Sequence, residues 1–430
     1  MVYKKIFYIE LFFLGILLIS GCTKSELNNP NELKVAFPAG GMEFIRLMKN
    51  MCKNFQKNRP GLKVKTIAVG AANYNEKIMT MIATDDSPDV FRIQPNYIPL
   101  FVKKGLIIDL EKLIEKDKYF DKSIYYPVVL EDLTCNGKLY GLAYGFTPKI
   151  IYYNKDLFDS AGVPYPKAGW NWDEYLEIAK KLTIKDSDGN IKQFGGIIEG
   201  FDILHFADTW GGNMWNKNKT RCTIDSPAAR AGIGFFIDLI IKYHVTPSPR
   251  ERQSQGDYEV FKNGRGGMLL SGRWQTFDLK NVKNMRWGIC EIPQGKRKVN
   301  RITANGWVIS ANCSNQAKAF EILKYICGEE NVKYIMKTGD CVPSIIKVAE
   351  TDFLDKNASF SEEDNSYYLK SISFASSYKK YLHPDISWIE LGGMIFGKKI
   401  EPLLFQRCDV KTYTEKMQKE INEFLAAKNK

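Results

Sequence analysis

The sequence has few of the residues and motifs on which enzyme chemistry usually depends. No Gly-x-Ser-x-Gly elbow, phosphate-binding loop or HExxH motif is present. Histidine occurs only three times in 430 residues, at His205, His244 and His383. Three pairs of adjacent carboxylates could serve an exported glycoside hydrolase, namely Asp85/Asp86, Glu131/Asp132 and Glu362/Glu363. Solvated loop or helix charges explain them more simply, so we predict a protein that is not an enzyme.

Cysteine spacing excludes the usual zinc sites, because no paired CxxC is found. Apart from Cys22, eight cysteines are widely spaced: Cys52, Cys135, Cys222, Cys290, Cys313, Cys327, Cys341 and Cys408. An even number permits disulfides in an exported protein. Free buried thiols are an equal alternative, particularly for Cys52 and Cys327 inside predicted helices. No cofactor and no metal are predicted.

Basic residues exceed acidic ones, 61 against 49, for a formal charge of +12. The charges are scattered and no nucleic-acid recognition motif is present, so nucleic acid is not a predicted partner. The simplest interpretation is a solvated basic surface, attracted to anionic lipid or envelope polymers. The alternative interpretation is that the positive charge serves to bind an acidic ligand.

The N-terminus has the pattern of a lipoprotein signal. Two lysines precede an apolar run over residues 6–19, which ends at Ile19–Ser20–Gly21–Cys22, similar to a bacterial lipobox. We predict a signal peptide over 1–21, lipidation of Cys22 and a flexible tether over 22–32. A transmembrane anchor and a cleaved soluble signal remain alternatives. The predicted location is the cell envelope, with a lipid anchor on the extracytoplasmic face of the membrane.

Residues 136–183 carry the most specific pattern in the chain. Lys138–Tyr144 alternates like a short strand, Ile150–Tyr153 is a β-branched and aromatic run, and Asn171–Leu182 has apolar residues at helical spacing. Their order, NGKLYG, YYNKDLFDSAG and NWDEYLEIAKKLT, resembles the signature of extracellular solute-binding proteins of the carbohydrate-uptake type, family 1.

Other landmarks of that family follow in order from about Leu33 to Pro343. They are Ser87–Phe91, Lys104–Leu110, Trp210–Met214, Asp225–Ala229, Phe261–Trp274, Ala304–Ser310 and Gly339–Pro343. Strands at Leu33–Phe37 and Leu62–Val69, with a helix at Asn73–Ala83, predict an α/β lobe with a mainly parallel sheet. A closing helical region is predicted over Glu401–Leu425.

The resemblance implies an α/β, two-lobed periplasmic-binding-protein-like fold of type II. We expect residues 33–147 plus 300–345 in the N-terminal lobe, and 148–299 plus 346–430 in the C-terminal lobe. The chain would cross a hinge about three times, near Phe146–Pro148, Gln294–Ile302 and Pro343–Val348. Ligand contacts present only in the closed state would then drive closure.

A sugar-binding cleft needs flat aromatic platforms and planar polar groups. The family resemblance favours Trp274 and Trp307 as platforms. The other predicted ligand-binding residues are Trp210, Tyr144, Trp388, Tyr74, Gly40, Gly41, Gln94, Arg92 and Arg273. Core packing is the alternative for each aromatic residue, and a simple tight turn is the alternative for the two glycines.

Arg92 and Arg273 are charged residues that a site for a neutral sugar does not require. Each follows a predicted strand, and a guanidinium can hold a carboxylate through two hydrogen bonds. This suggests an acidic oligosaccharide such as a uronide, whereas surface salt bridges or contacts with neutral hydroxyls are the commoner outcome.

The resemblance implies a monomeric substrate-binding lipoprotein of an ABC importer. It would capture a sugar or oligosaccharide and deliver it to a membrane permease driven by a cytoplasmic ATPase. The alternatives are the same fold binding a polyamine, phosphodiester or peptide, a sensory input, and, less favoured, the exported hydrolase.

Overall fold

A computed structural model describes residues 31–84, 86–198, 202–355 and 364–428. The predicted signal peptide, Cys22 and most of the predicted tether lie outside these residues, as do Asp85 and the Glu362/Glu363 pair. Within the described part of the chain, no helix is long and apolar enough to cross a membrane. None of the eight cysteines in these ranges forms a disulfide.

Strands and helices alternate through most of the described chain. The strands are β1 Glu32–Ala39, β2 Lys63–Gly70, β3 Val90–Ile93, β4 Thr134–Cys135, β5 Lys138–Leu139, β6 Gly141–Asn154, β7 Ile184–Lys185, β8 Ile191–Ile198, β9 Gly266–Gly272, β10 Trp287–Cys290, β11 Asn300–Ile309, β12 Val342–Pro343 and β13 Ala375–Ser376. The helices are α1 Met42–Lys57, α2 Tyr74–Ala83, α3 Ile98–Lys103, α4 Glu111–Lys116, α5 Pro127–Asp132, α6 Lys155–Ser160, α7 Trp172–Leu182, α8 Ile203–Thr209, α9 Pro227–Ile241, α10 Pro249–Ser254, α11 Asp257–Val260, α12 Trp274–Leu279, α13 Gln316–Ile326, α14 Glu329–Met336, α15 Ile346–Glu350, α16 Ser366–Lys370, α17 Trp388–Ile395, α18 Glu401–Leu404 and α19 Val410–Lys428.

A curled mixed sheet runs through both halves of the molecule in the order β2-β1-β3-β11-β6-β9-β8-β7. The first three strands are parallel, as predicted for the N-terminal lobe. The later strand β11 then inserts antiparallel between β3 and β6. In the other half, β8 and β9 are parallel, while β6 is antiparallel to β9 and β10.

The 14-residue strand β6 replaces the two separate strands that were predicted. It is buried along almost its whole length, and it pairs with β11 over its first half and with β9 over its second half. Its middle pairs with β11 at Ile302↔Pro148 and with β12 at Pro343↔Gly145. The three predicted hinge segments are therefore neighbours in one sheet, although the lobe boundaries themselves stay a prediction.

Several helices begin at a side-chain cap. Asn171 caps α7, and its side chain and that of Glu174 form a reciprocal capping box. The predicted helical region Glu401–Leu425 consists of two helices, α18 and α19, with a short non-helical segment between them. Gln406 has a positive φ of 56° there, and Asp409 then accepts a hydrogen bond from the Thr412 amide at the start of α19.

Candidate ligand-binding site

Two strand ends of the N-terminal half meet at one edge of the sheet. β1 is followed by Gly40 and Gly41, and β3 is followed by Gln94; all three residues are exposed. Ligands bind at this kind of edge in α/β sheets. Neither glycine has a positive φ, and a Cβ at Gly41 would touch nothing within 4 Å. The structure therefore gives no steric reason for glycine at Gly41.

Arg92 lies at the centre of a polar group that we call the Arg92 cluster, consisting of Arg92, Tyr144, Asn305 and Asp340. Arg92 Nη2 donates to Asn305 Oδ1 at 2.5 Å, and its guanidinium carbon lies 5.8 Å from the centre of the Tyr144 ring. Tyr144 donates from its hydroxyl to Asp340 Oδ2 at 3.0 Å. The cluster joins four segments, from β3, β6, β11 and the loop after α14, and pairs one cation with one carboxylate.

Tyr144 is fully buried within this cluster. Burial raises the pKa of its hydroxyl well above the ordinary value, and Asp340 raises it further against the opposing effect of Arg92. The hydroxyl therefore stays protonated and remains a hydrogen-bond donor. Tyr74 is also buried, and its hydroxyl donates to the carbonyl oxygen of Ala36 at 3.2 Å.

Trp274 is a partly exposed aromatic residue at the end of β9, where it begins α12. The ammonium of Lys149, on β6, lies 5.2 Å from the centre of its ring. A cation beside an indole face is a favourable arrangement. An indole ring can also stack on the C–H surface of a sugar ring.

Trp388 and Tyr378 form a second aromatic pair, with ring centres 5.3 Å apart and nearly perpendicular planes. Both side chains are partly exposed. The guanidinium of Arg301 lies 4.7 Å from the Tyr378 ring and donates twice to Asp202, at 2.9 and 2.7 Å. Burial opposes both charges, but the pairing outweighs it, so the pKa of Asp202 lies below its ordinary value and that of Arg301 above.

His205 lies next to this ion pair in α8 and is 1 % exposed. Neither of its ring nitrogens has a hydrogen-bond partner. Burial lowers the pKa of the imidazole to about 4, although Asp202 acts in the opposite direction. His205 is therefore neutral at neutral pH.

Like Tyr144 and Tyr74, the predicted site residues Trp307 and Arg273 are buried and form no accessible cleft wall. Trp307 is 0 % exposed, on a strand that lies inside the sheet between β3 and β6, and its side chain belongs to the larger hydrophobic core. Arg273 is 1 % exposed and donates from Nη1 to the carbonyl oxygens of Met336 and Cys341. Trp210 is partly exposed but packs in an aromatic core cluster, with its ring centre 4.8 Å from that of Phe235.

Sequence reasoning missed the polar partners of the site. Asn305 lies inside the Ala304–Ser310 landmark and Asp340 inside the Gly339–Pro343 landmark, so polar residues within those landmarks were an available signal. Arg301 and Asp202 had no local signal. No group of three or more His, Cys, Asp or Glu side chains in the described ranges is arranged to hold a metal ion.

The curled sheet and the two halves joined by β6 and β11 define a two-lobed periplasmic-binding-protein fold of type II. A solved structure with this fold, an ABC substrate-binding protein from Listeria monocytogenes in complex with cycloalternan, matches with a TM-score of 0.82. It is 24% identical, and the match covers 92% of this chain and 99% of that one. UgpB from Mycobacterium tuberculosis, in complex with glycerophosphocholine, matches with a TM-score of 0.78 at 17% identity, covering 93% and 99%.

The family model for bacterial extracellular solute-binding proteins matches residues 50–362. The chain belongs to this family, which consists of solute-binding proteins rather than enzymes. The galactooligosaccharide-binding protein of Bacillus subtilis is 24% identical over 325 residues, covering 72% of each chain. The protein is therefore an ABC-transporter substrate-binding protein of the extracytoplasmic space.

Proposed function

We propose that this protein captures a sugar or an oligosaccharide between its two lobes. The observation that carries the proposal is the combination of a partly exposed indole, Trp274, with the two partly exposed polar side chains of the Arg92 cluster, Arg92 and Asp340. A sugar ring offers an apolar C–H face to the first and hydroxyl groups to the second. The sugars named for the Listeria and Bacillus relatives support the same ligand class.

The captured sugar would be handed to an ABC permease in the membrane, with a cytoplasmic ATPase supplying the energy. The lipobox-like Ile19–Cys22 supports a lipid anchor on the extracytoplasmic face. We propose that the anchored protein acts as a monomer.

The acidic-sugar hypothesis now depends on Arg92. Arg273 gives it no support, because its guanidinium is buried and donates to main-chain carbonyls. Arg92 is partly exposed but already holds Asn305 and lies beside Asp340. A neutral sugar is therefore the first choice and a uronide the second.

A phosphodiester is the second candidate class. The ammonium of Lys149 beside the Trp274 ring would suit an organic phosphate, and UgpB supplies a precedent for such a ligand in this fold. This candidate predicts a response to glycerophosphocholine with no response to sugars.

A thermal-shift screen of the signal-free protein carrying Cys22→Ser tests the proposal. Neutral oligosaccharides, uronides and glycerophosphocholine form its three arms, and chromatography checks for product. A ligand at 100 times its Kd adds about 2.7 kcal/mol to the free energy of unfolding and raises the melting temperature. Trp274→Ala should remove the shift, whereas Tyr119→Ala, at a side chain 99% exposed, should keep it. No shift with any sugar would refute the proposal.

A further inference from the structure

Lys280 joins three separate segments at the edge of the site. It follows the last residue of α12, and its side chain is 15% exposed. Its ammonium donates to Glu43 Oε1 at 3.0 Å and to the carbonyl oxygen of Thr338 at 2.9 Å. It also lies 4.5 Å from the centre of the Phe277 ring. These contacts hold one cation between α12, α1 and the loop that follows α14.

Glu43 and Lys280 belong to opposite halves of the molecule. Glu43 is in the first turn of α1, which follows β1 through Gly40 and Gly41. That helix end favours a negative side chain, since its free N–H groups carry partial positive charge. Lys280 directly follows α12, and α12 follows β9 of the other half. The ion pair therefore links the two halves of the sheet, which are the two predicted lobes.

The opposite end of α12 is fixed to the same loop. Arg273 donates from Nη1 to the carbonyl oxygens of Met336, at 3.3 Å, and Cys341, at 2.7 Å. The loop 336–341 is thus held from both ends of α12. Between these two attachments the loop presents Asp340 to Tyr144 of the Arg92 cluster.

We propose that Lys280 is a positioning residue for ligand capture: by pairing with Glu43 it holds the lobes together and keeps α12, which begins at Trp274, beside the loop that carries Asp340. Closure and the placement of the aromatic platform then depend on the same ammonium. Glu43 is half exposed, so water and salt weaken its ion pair with Lys280. The ion pair therefore shifts the equilibrium toward the closed state without making closure permanent. Its role in capture rests on the proposed function, but its effect on closure is independent of the ligand.

Double electron–electron resonance on the ligand-free full chain in detergent tests the proposal. Spin labels at Lys53→Cys on α1 and Asn284→Cys after α12 report the separation of the lobes, since both positions are exposed. Cys22, Cys135 and Cys408 are replaced by Ser; the other six cysteines are buried. Lys280→Met should lower the ratio of short to long distances at least about threefold.

Three further variants separate positioning from a general structural role. Glu43→Gln should shift the distances in the same direction, and Lys280→Arg should restore the short distance. Lys283→Met is the matched control, because Lys283 is exposed and no ion pair is found for it within the described ranges; it should change nothing. Distance distributions of Lys280→Met and Glu43→Gln that superimpose on the wild type would overturn the proposal. Because this measurement uses no sugar, failure of the Lys280–Glu43 proposal can be distinguished from failure of the proposed sugar-binding function.

Discussion

Replacing His205 should change how the stability of this protein depends on pH. The imidazole is 1 % exposed and makes no hydrogen bond through either ring nitrogen, so His205→Gln removes a titratable group without breaking a polar contact. The groups that act on it are Asp202, Arg301, Asp208 and Lys149. Burial nevertheless dominates and lowers its pKa to about 4.

The size of the effect follows from proton linkage. An unfolded chain binds a proton at this histidine below pH 6.5, whereas the native state resists protonation until about pH 4. The stabilisation from neutral His205 is therefore complete above pH 6.5 and is lost as the pH falls toward 4. The loss relative to pH 8 reaches about 2 kcal/mol at pH 5 and about 3 kcal/mol near pH 4.

Other groups titrate in the same range, so the variant must be compared with the wild type at each pH. Asp132 acts in the opposite direction: burial raises its pKa to about 7, and its contribution to stability decreases as the pH rises from 4 to 7. Urea unfolding at pH 8, 6 and 5 gives the free energy of unfolding of each protein. Between pH 8 and pH 5 the wild type should lose about 2 kcal/mol more than His205→Gln. Parallel pH profiles for wild type and His205→Gln would refute the reasoning.

Two further substitutions test packing and capping. A Cβ at Gly195 would overlap the carbonyl oxygen of Ala179 on α7, so Gly195→Ala should lower the free energy of urea unfolding by at least about 2 kcal/mol. Gly393→Ala is its control, because Gly393 is exposed on α17 with nothing within 4 Å of the new methyl group; an equal loss there would contradict the steric argument. Asn171→Ala removes the α7 capping box with Glu174 and should cost about 1 kcal/mol; an unchanged urea midpoint would show that tertiary packing alone fixes that helix end.

Local chemistry was predictable from sequence, and long-range packing was not. The start of α7 could be predicted because Asn171 and Glu174 act within one turn. The burial of Trp307 could not, since it depends on β11 inserting between β3 and β6, which lie far earlier in the chain. Tyr144 was predicted by family position, but its partner Asp340 lies 196 positions away. Family landmarks identify strand ends; they do not determine which side chain of a landmark faces the cleft and which faces the core.

The charges around the site argue for a neutral ligand within the proposed class. Arg301 is held by two hydrogen bonds to Asp202, and Arg92 donates to Asn305 beside Asp340. Such guanidinium groups are already oriented, so a sugar hydroxyl can add to the network without separating an ion pair. An anionic ligand would have to compete with Asp202 for the Arg301 guanidinium, and at Arg92 it would approach the carboxylate of Asp340. We therefore expect the neutral arm of the screen to shift melting more than the uronide arm, and the opposite order would mean that Arg92 exchanges its present partner for the ligand.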